Sequence, residues 1–209
     1  MKVITTNTKE NKYWEESAAD SRELSCMQAV CLYPELKMNT IHGFGGAFTE
    51  SAAYCYSQLP ETEKEAFIKA CFSDEGLRYT LGRTHINSCD FSLSNYAADE
   101  DPEDTELKKF SLDREEKYIL PLIKAAQSQC GGNLKFLLSP WSPPAFMKTN
   151  NEMNHGGYLK EEYYERWAQY MVRFIKEYEA RGVQVSWVTV QNEPDAVQTW
   201  DSCKYSAAQ

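Results

Sequence analysis

Residues 183–194 read VQVSWVTVQNEP, and the fold follows from that stretch. Val183 to Val190 is β-branched and aromatic enough for a strand buried in a parallel sheet, and Gln191-Asn192-Glu193-Pro194 stops it. Just upstream lies the strongest helical pattern of the chain, about Lys160 to Arg181, with Tyr164, Trp167, Ala168, Met171, Phe174, Ile175 and Tyr178 along one side. Gly182 ends it. The tyrosine-rich part, Glu162 to Tyr178, is therefore expected to face a core.

The same alternation recurs three times toward the N-terminus. Leu134 to Leu138 follows a helix near Asp113 to Gln127, whose face is Tyr118, Ile119, Leu122, Ile123 and Ala126 and which Gly131-Gly132 terminate. Tyr79 to Ile86 precedes that helix across a long polar loop, in which Asp99 to Lys109 is the longest charged stretch. Ile41 to Phe48 comes first, followed by a helix opened by Pro60 with Phe67, Ala70 and Cys71 on its buried side. Strand and helix in alternation give an α/β fold with a parallel sheet, either doubly wound or a (β/α)8 barrel. Four units make half a barrel, and a whole one takes about 250 residues. Residues 1–40 alternate weakly and carry no long helical face.

Composition narrows the function. Lys and Arg number 22 against 31 Asp and Glu, a formal charge of -9, which repels phosphates and argues against a nucleic-acid partner. No apolar run approaches the ~20 residues of a membrane-spanning helix. The opening residues lack the apolar core of a secretory signal, so a cytoplasmic location is expected. Seven cysteines (26, 31, 55, 71, 89, 130, 203) form no CxxC pair and are expected to be reduced thiols. His42, His85 and His155 have no ligand spacing, and the glycines 43, 45 and 46 match neither GxGxxG nor a Walker loop. No metal and no cofactor are expected, and the nucleotide-binding reading of a doubly wound sheet is disfavoured.

Polar and aromatic residues cluster where each apolar run ends: Glu50 with Ser51, Asn87 to Asp90, Trp141 with Ser142, and Asn192-Glu193. Parallel sheets place their sites at those ends. A carboxylic acid there, beside an amide, suits a general acid that stays protonated near neutral pH. A surface turn set by Pro194 is the plainer alternative.

Four ordered motifs, GFGGAFTESAA (43–53), RTHINSCDFS (83–92), SPWSPPAFMK (139–148) and VTVQNEPDAVQTWDSC (188–203), resemble glycoside hydrolase family thirty, whose best-known members are glucosylceramidases. The resemblance implies a retaining β-glycosidase on a TIM barrel, cut here to about its first four units, with residues 1–40 beginning a β-sandwich side domain and 41–209 the first half of the barrel. It makes Glu193 the acid/base. Asp90 would accept hydrogens from sugar hydroxyls, Trp141 would line that subsite, and Asn192 would contact the 2-hydroxyl. Arg83 corresponds to a buried arginine near the catalytic carboxylates, although a structural ion pair fits it equally. The family nucleophile is a glutamate on the seventh strand, absent from this sequence, so Glu50 is not given that role and the chain alone is expected to be inactive. The implied substrate is a carbohydrate or glycolipid, β-glucosyl or a related β-xylosyl or β-1,6-glucosyl linkage. A non-catalytic carbohydrate-binding module is the rival reading.

Overall fold

A computed structural model of the chain describes residues 2–18 and 31–209. Two compact units, residues 1–41 and 42–209, divide it. In the first, β1 (Lys2–Asn7) and β2 (Lys12–Ala18) pair antiparallel across a tight turn, and Asn11 takes the left-handed conformation (φ 54°) that asparagine tolerates. Cys26 lies outside the described residues; the six described cysteines are free thiols.

The second unit is built on a parallel sheet of four strands in sequence order, β3 (Gly45–Ala47), β4 (Leu81–Ile86), β5 (Lys135–Pro140) and β6 (Gln184–Val188). Alternation along β4 sends Ile86 into the core with Phe136 and Leu138 of β5, while Leu81 and Arg83 line an open hollow of about 530 Å³ with Leu137 and Trp187. On the core side lie α1 (Glu50–Gln58), α2 (Glu61–Phe72), α3 (Asp113–Lys117), α4 (Ile119–Gln129) and α5 (Tyr164–Ala180). Ile119, Leu122, Ile123 and Ala126 of α4 and Trp167, Tyr170, Phe174 and Tyr178 of α5 join that core.

Several local expectations need correction. The strand expected over Ile41 to Phe48 is three residues long, and Glu50 does not end it: Thr49 accepts from the Ala52 N–H at 3.2 Å and caps α1, so Glu50 opens a helix. The buried side of α2 is Ile68 and Phe72, whereas Phe67 is 43% exposed. The helix expected over Asp113 to Gln127 is two helices. Pro121 has no N–H for the Lys117 carbonyl and its ring would collide with it, so α3 stops at Lys117 and Pro121 falls in the first turn of α4. On α5 the buried stripe includes Tyr170 and leaves Tyr164 and Ala168 exposed. Tyr170 can be buried because its hydroxyl has partners, donating to Asn87 Oδ1 at 2.5 Å and accepting from the Asp99 N–H at 3.1 Å. Lastly, β6 is not enclosed. It is an edge strand among the described residues, with Val188 48% exposed.

Gly82 offers a test of this packing. A Cβ on it would lie 2.4 Å from Phe136 Cε1, and that ring is held by Phe48 at 5.0 Å between centroids. Gly82→Ala should lower stability by about 1–3 kcal/mol in a urea titration, the usual cost of overpacking. An unchanged midpoint would mean that the ring yields freely.

Candidate active site

Because the four strands run parallel, the segments that leave their carboxyl ends gather on one side of the sheet. Arg83, on β4, is the centre of the group. Its Nε donates to Ser139 Oγ at 3.0 Å on β5, its Nη2 donates to Asn192 Oδ1 at 2.8 Å, and its guanidinium lies 4.6 Å from the centroid of the Trp141 ring. Residues from three strand ends are thus tied by one side chain. Among the described residues Arg83 makes no salt bridge; its partners are Ser139, Asn192 and the Trp141 ring. Its charge is left to act on whatever enters between Trp141 and Asn192.

Trp141 is 8% exposed, with Arg83 over one face and the His85 ring edge-on at 6.5 Å. This narrows the surface that a sugar could meet compared with a fully open indole. Asp90 is exposed in the loop after β4, and its carboxylate has no protein partner among the described residues. Within that loop the Ser92 Oγ accepts from the Cys89 N–H at 3.0 Å. Glu193 follows Asn192 with φ 45° and is exposed. The enclosure expected around a protonated acid is therefore not formed by the described residues. Arg83 is brought into contact with both Trp141 and Asn192, Glu193 is carried by Asn192, and Asp90 makes no contact with this group among the described residues, although its charge acts on His85.

Behind this front layer is a buried layer that sequence reasoning did not find. Glu50 is fully buried and accepts from Arg114 Nε and Nη2, both at 2.9 Å, and from the Leu93 N–H at 2.8 Å. Both of its oxygens are thus engaged by protein donors. The Glu50 N–H donates to His85 Nε2 at 3.1 Å, and His85 Nδ1 is 2.5 Å from the Asn87 carbonyl, so the partners place the ring proton on Nδ1. Burial lowers the pKa of His85 and keeps it neutral. Arg114 lies 4.5 Å over the Tyr96 ring, and the Tyr96 hydroxyl donates to Glu115 at 2.9 Å. Burial raises the Glu115 carboxyl from 4.5 to about 7. The loops are cross-tied by Lys148, fully buried, whose Nζ donates to the carbonyls of Met153 at 2.8 Å and Ser202 at 2.6 Å, and whose pKa burial lowers to about 8. Only the tertiary fold assembles these contacts, since Glu50 and Arg114 are 64 residues apart.

Arg114→Ala would leave Glu50 charged and buried without its counter-ion. The expected loss is about 3–5 kcal/mol, read from chemical denaturation. A variant as stable as the parent would show that Glu50 is solvated.

Comparison with known proteins gives a consistent picture. The glycosyl hydrolase family 30 TIM-barrel domain matches residues 41–206. The chain is 39% identical over 177 residues to putative glucosylceramidase 4 of Caenorhabditis elegans, covering 80% of this chain and 34% of that protein. Among solved structures, SrfJ from Salmonella typhimurium superposes with a TM-score of 0.90 at 39% identity, covering 99% of this chain and 47% of that one. An endo-β1,6-glucanase superposes with a TM-score of 0.81 at 28% identity, over 97% of this chain and 45% of its own. The chain spans about a third of the length of the curated relatives it matches.

Proposed function

The chain belongs to glycosyl hydrolase family 30, and from that premise we propose that it carries the acid/base half of a retaining β-glycosidase, with a β-glucosyl unit held by Asp90, Trp141 and Asn192 and the leaving oxygen protonated by Glu193. The observation that carries the reading is the Arg83–Asn192 hydrogen bond, which sets the Asn192–Glu193 turn beside Trp141 at the carboxyl end of the sheet. Such an amide can donate to the sugar 2-hydroxyl, and an interaction with that hydroxyl strengthens as the ring becomes oxocarbenium-like. The exposed Asp90 carboxylate can accept from two hydroxyls at once.

Retention takes two carboxyl groups about 5–5.5 Å apart. Glu193 is the acid/base, and the nucleophile of this reading lies outside residues 1–209. The 209-residue chain is therefore expected to bind a β-glucoside and not hydrolyse it, whereas the same residues joined to the second half of a family barrel should hydrolyse it. Residues 2–18 are read as the first strands of a side-domain β-sandwich, supported by the antiparallel pair they form.

The test follows the anomer released from an alkyl β-glucoside by proton NMR before mutarotation. β-Glucose as the first product of the joined protein supports retention. α-Glucose first, or turnover by residues 1–209 alone, would overturn the assignment.

A further inference from the structure

Gln191 sits at the exit of β6, immediately before Asn192. The residue is 9% exposed. Its Nε2 donates to two main-chain oxygens, that of Trp141 at 2.7 Å and that of Asn192 at 2.8 Å, while Oε1 is buried with no partner. The two carbonyls fix which end of the amide is nitrogen, because the reversed amide would press an oxygen against both of them.

The position of this contact matters. Register pairing between β5 and β6 ends at Leu138 and Val188, and two further main-chain bonds, Thr189 N–H to Leu138 O at 2.9 Å and Asn192 N–H to Pro140 O at 2.8 Å, extend it. At Trp141 the two chains begin to separate into loops. One loop carries Trp141 and the other carries Asn192 and Glu193. Gln191 joins them there. Asn192 is then anchored at three points: its N–H to Pro140, its carbonyl from Gln191 and its side-chain oxygen from Arg83. Glu193 leaves this fixed peptide in a left-handed conformation that non-glycine residues seldom take.

We propose that Gln191 is a positioning residue of the sugar site: its amide NH2 sets the spacing between Trp141 and the Asn192–Glu193 turn by serving both carbonyls from one atom. The proposal rests on the reading that Trp141 and Asn192 meet the sugar. One atom that serves two buried carbonyls needs two hydrogens. A primary amide supplies them without a charge, a hydroxyl has one hydrogen, a carboxylate has none, and an ammonium, which serves two carbonyls at Lys148, would bring a charge to this position.

The experiment uses the 209-residue chain with 15N-labelled tryptophan and asparagine, and compares the parent with Gln191→Leu and Gln191→Glu. Trp141→Phe assigns the indole signal and Asn192→Asp the side-chain amide. In Gln191→Leu both signals should move at every pH, while the Trp167 indole, packed in the core, stays in place. In Gln191→Glu they should move at pH 7.5 and return toward the parent positions at pH 5, because burial against two carbonyl oxygens raises the carboxyl's pKa and the protonated form regains one donor for the Trp141 carbonyl. A monocyclic iminosugar serves as the binding probe. Its affinity, relative to the parent at the same pH, should fall about tenfold in Gln191→Leu and in Gln191→Glu at pH 7.5, and recover in the latter at pH 5. If Gln191→Leu does not fold, the pH reversal within the single Gln191→Glu sample decides. Signals that stay put in both variants, or that move identically at both pH values in Gln191→Glu, overturn the proposal. A parent that fails to bind the probe while the signals behave as stated overturns the sugar-site reading and leaves the tie between the loops standing.

Discussion

Glu193→Gln, in residues 1–209 joined to the second half of the Salmonella relative's barrel, is expected to slow hydrolysis of an alkyl β-glucoside by ~10²–10⁴-fold, the usual contribution of a general acid. The 39% identity and TM-score of 0.90 between the two chains make such a junction reasonable. The size of the loss depends on the leaving group. An alkoxide is strongly basic and cannot depart unprotonated, whereas a dinitrophenolate can, so the glycosylation step with a dinitrophenyl glucoside should be nearly unaffected. Pre-steady-state release of dinitrophenol separates that step from the later attack of water, where the same carboxylate acts as base. The upper limb of the pH profile should disappear with Glu193, since it reports the acid in the free enzyme. Equal losses for both leaving groups would remove Glu193 from this role. Asn192→Ala, by contrast, should slow both substrates alike, because the 2-hydroxyl contact proposed for it would act on the sugar and not on the leaving oxygen.

The second large effect concerns stability and pH. Glu115 is fully buried, accepts one hydrogen bond from Tyr96, leaves its other oxygen without a partner, and feels the charges of Glu50 and Arg114. Its carboxyl is raised in the folded state from 4.5 to about 7. The folded protein therefore holds this proton more tightly than the unfolded chain does. Below about pH 4.5 both states are protonated and the contribution to stability is intact; it is lost as the pH rises toward about 7. That interval corresponds to about 3 kcal/mol. Glu115→Gln keeps an acceptor for Tyr96 without the titration, so its urea midpoint should vary less than the parent's between pH 5 and 8. His85 works with the opposite sign, since its lowered pKa withdraws stability as the pH falls, which is why the comparison must be made between parent and Gln variant at each pH. Parallel curves for the two proteins would show that Glu115 is charged in the fold at low cost.

The two experiments probe different layers of the same strand ends. The position of Glu193 at the carboxyl end of a parallel strand was legible, because Asn-Glu-Pro after a β-branched run marks that end, which is the habitual place for chemistry. Glu115 was not legible. It lies in an Asp-Arg-Glu-Glu-Lys helix that reads as solvated surface, and nothing local indicates that Tyr96, from a loop 19 residues earlier, would cover it. Tyr170 lies in a helix expected to face a core but outside the stripe its spacing marks, and only the fold supplies Asn87 and Asp99 as partners for its buried hydroxyl. The break at Tyr118 was available from Pro121, three residues on, had the missing N–H been weighed against the apolar spacing.

Sequence alone determined the strand and helix alternation, the parallel sheet and the family motifs, because periodicity and the chemistry of strand ends act within a few residues of one another. It also determined the candidates Arg83, Asp90, Trp141, Asn192 and Glu193. The tertiary structure alone decided what each of these touches. Arg83 ties strand ends through Ser139 and Asn192, Trp141 is narrowed by its neighbours, Glu50 pairs with Arg114, and Gln191 joins two loops. Those outcomes depend on distance and burial between segments far apart in the chain, where a buried polar atom must find a partner and the partner can come from any strand end the fold brings within reach.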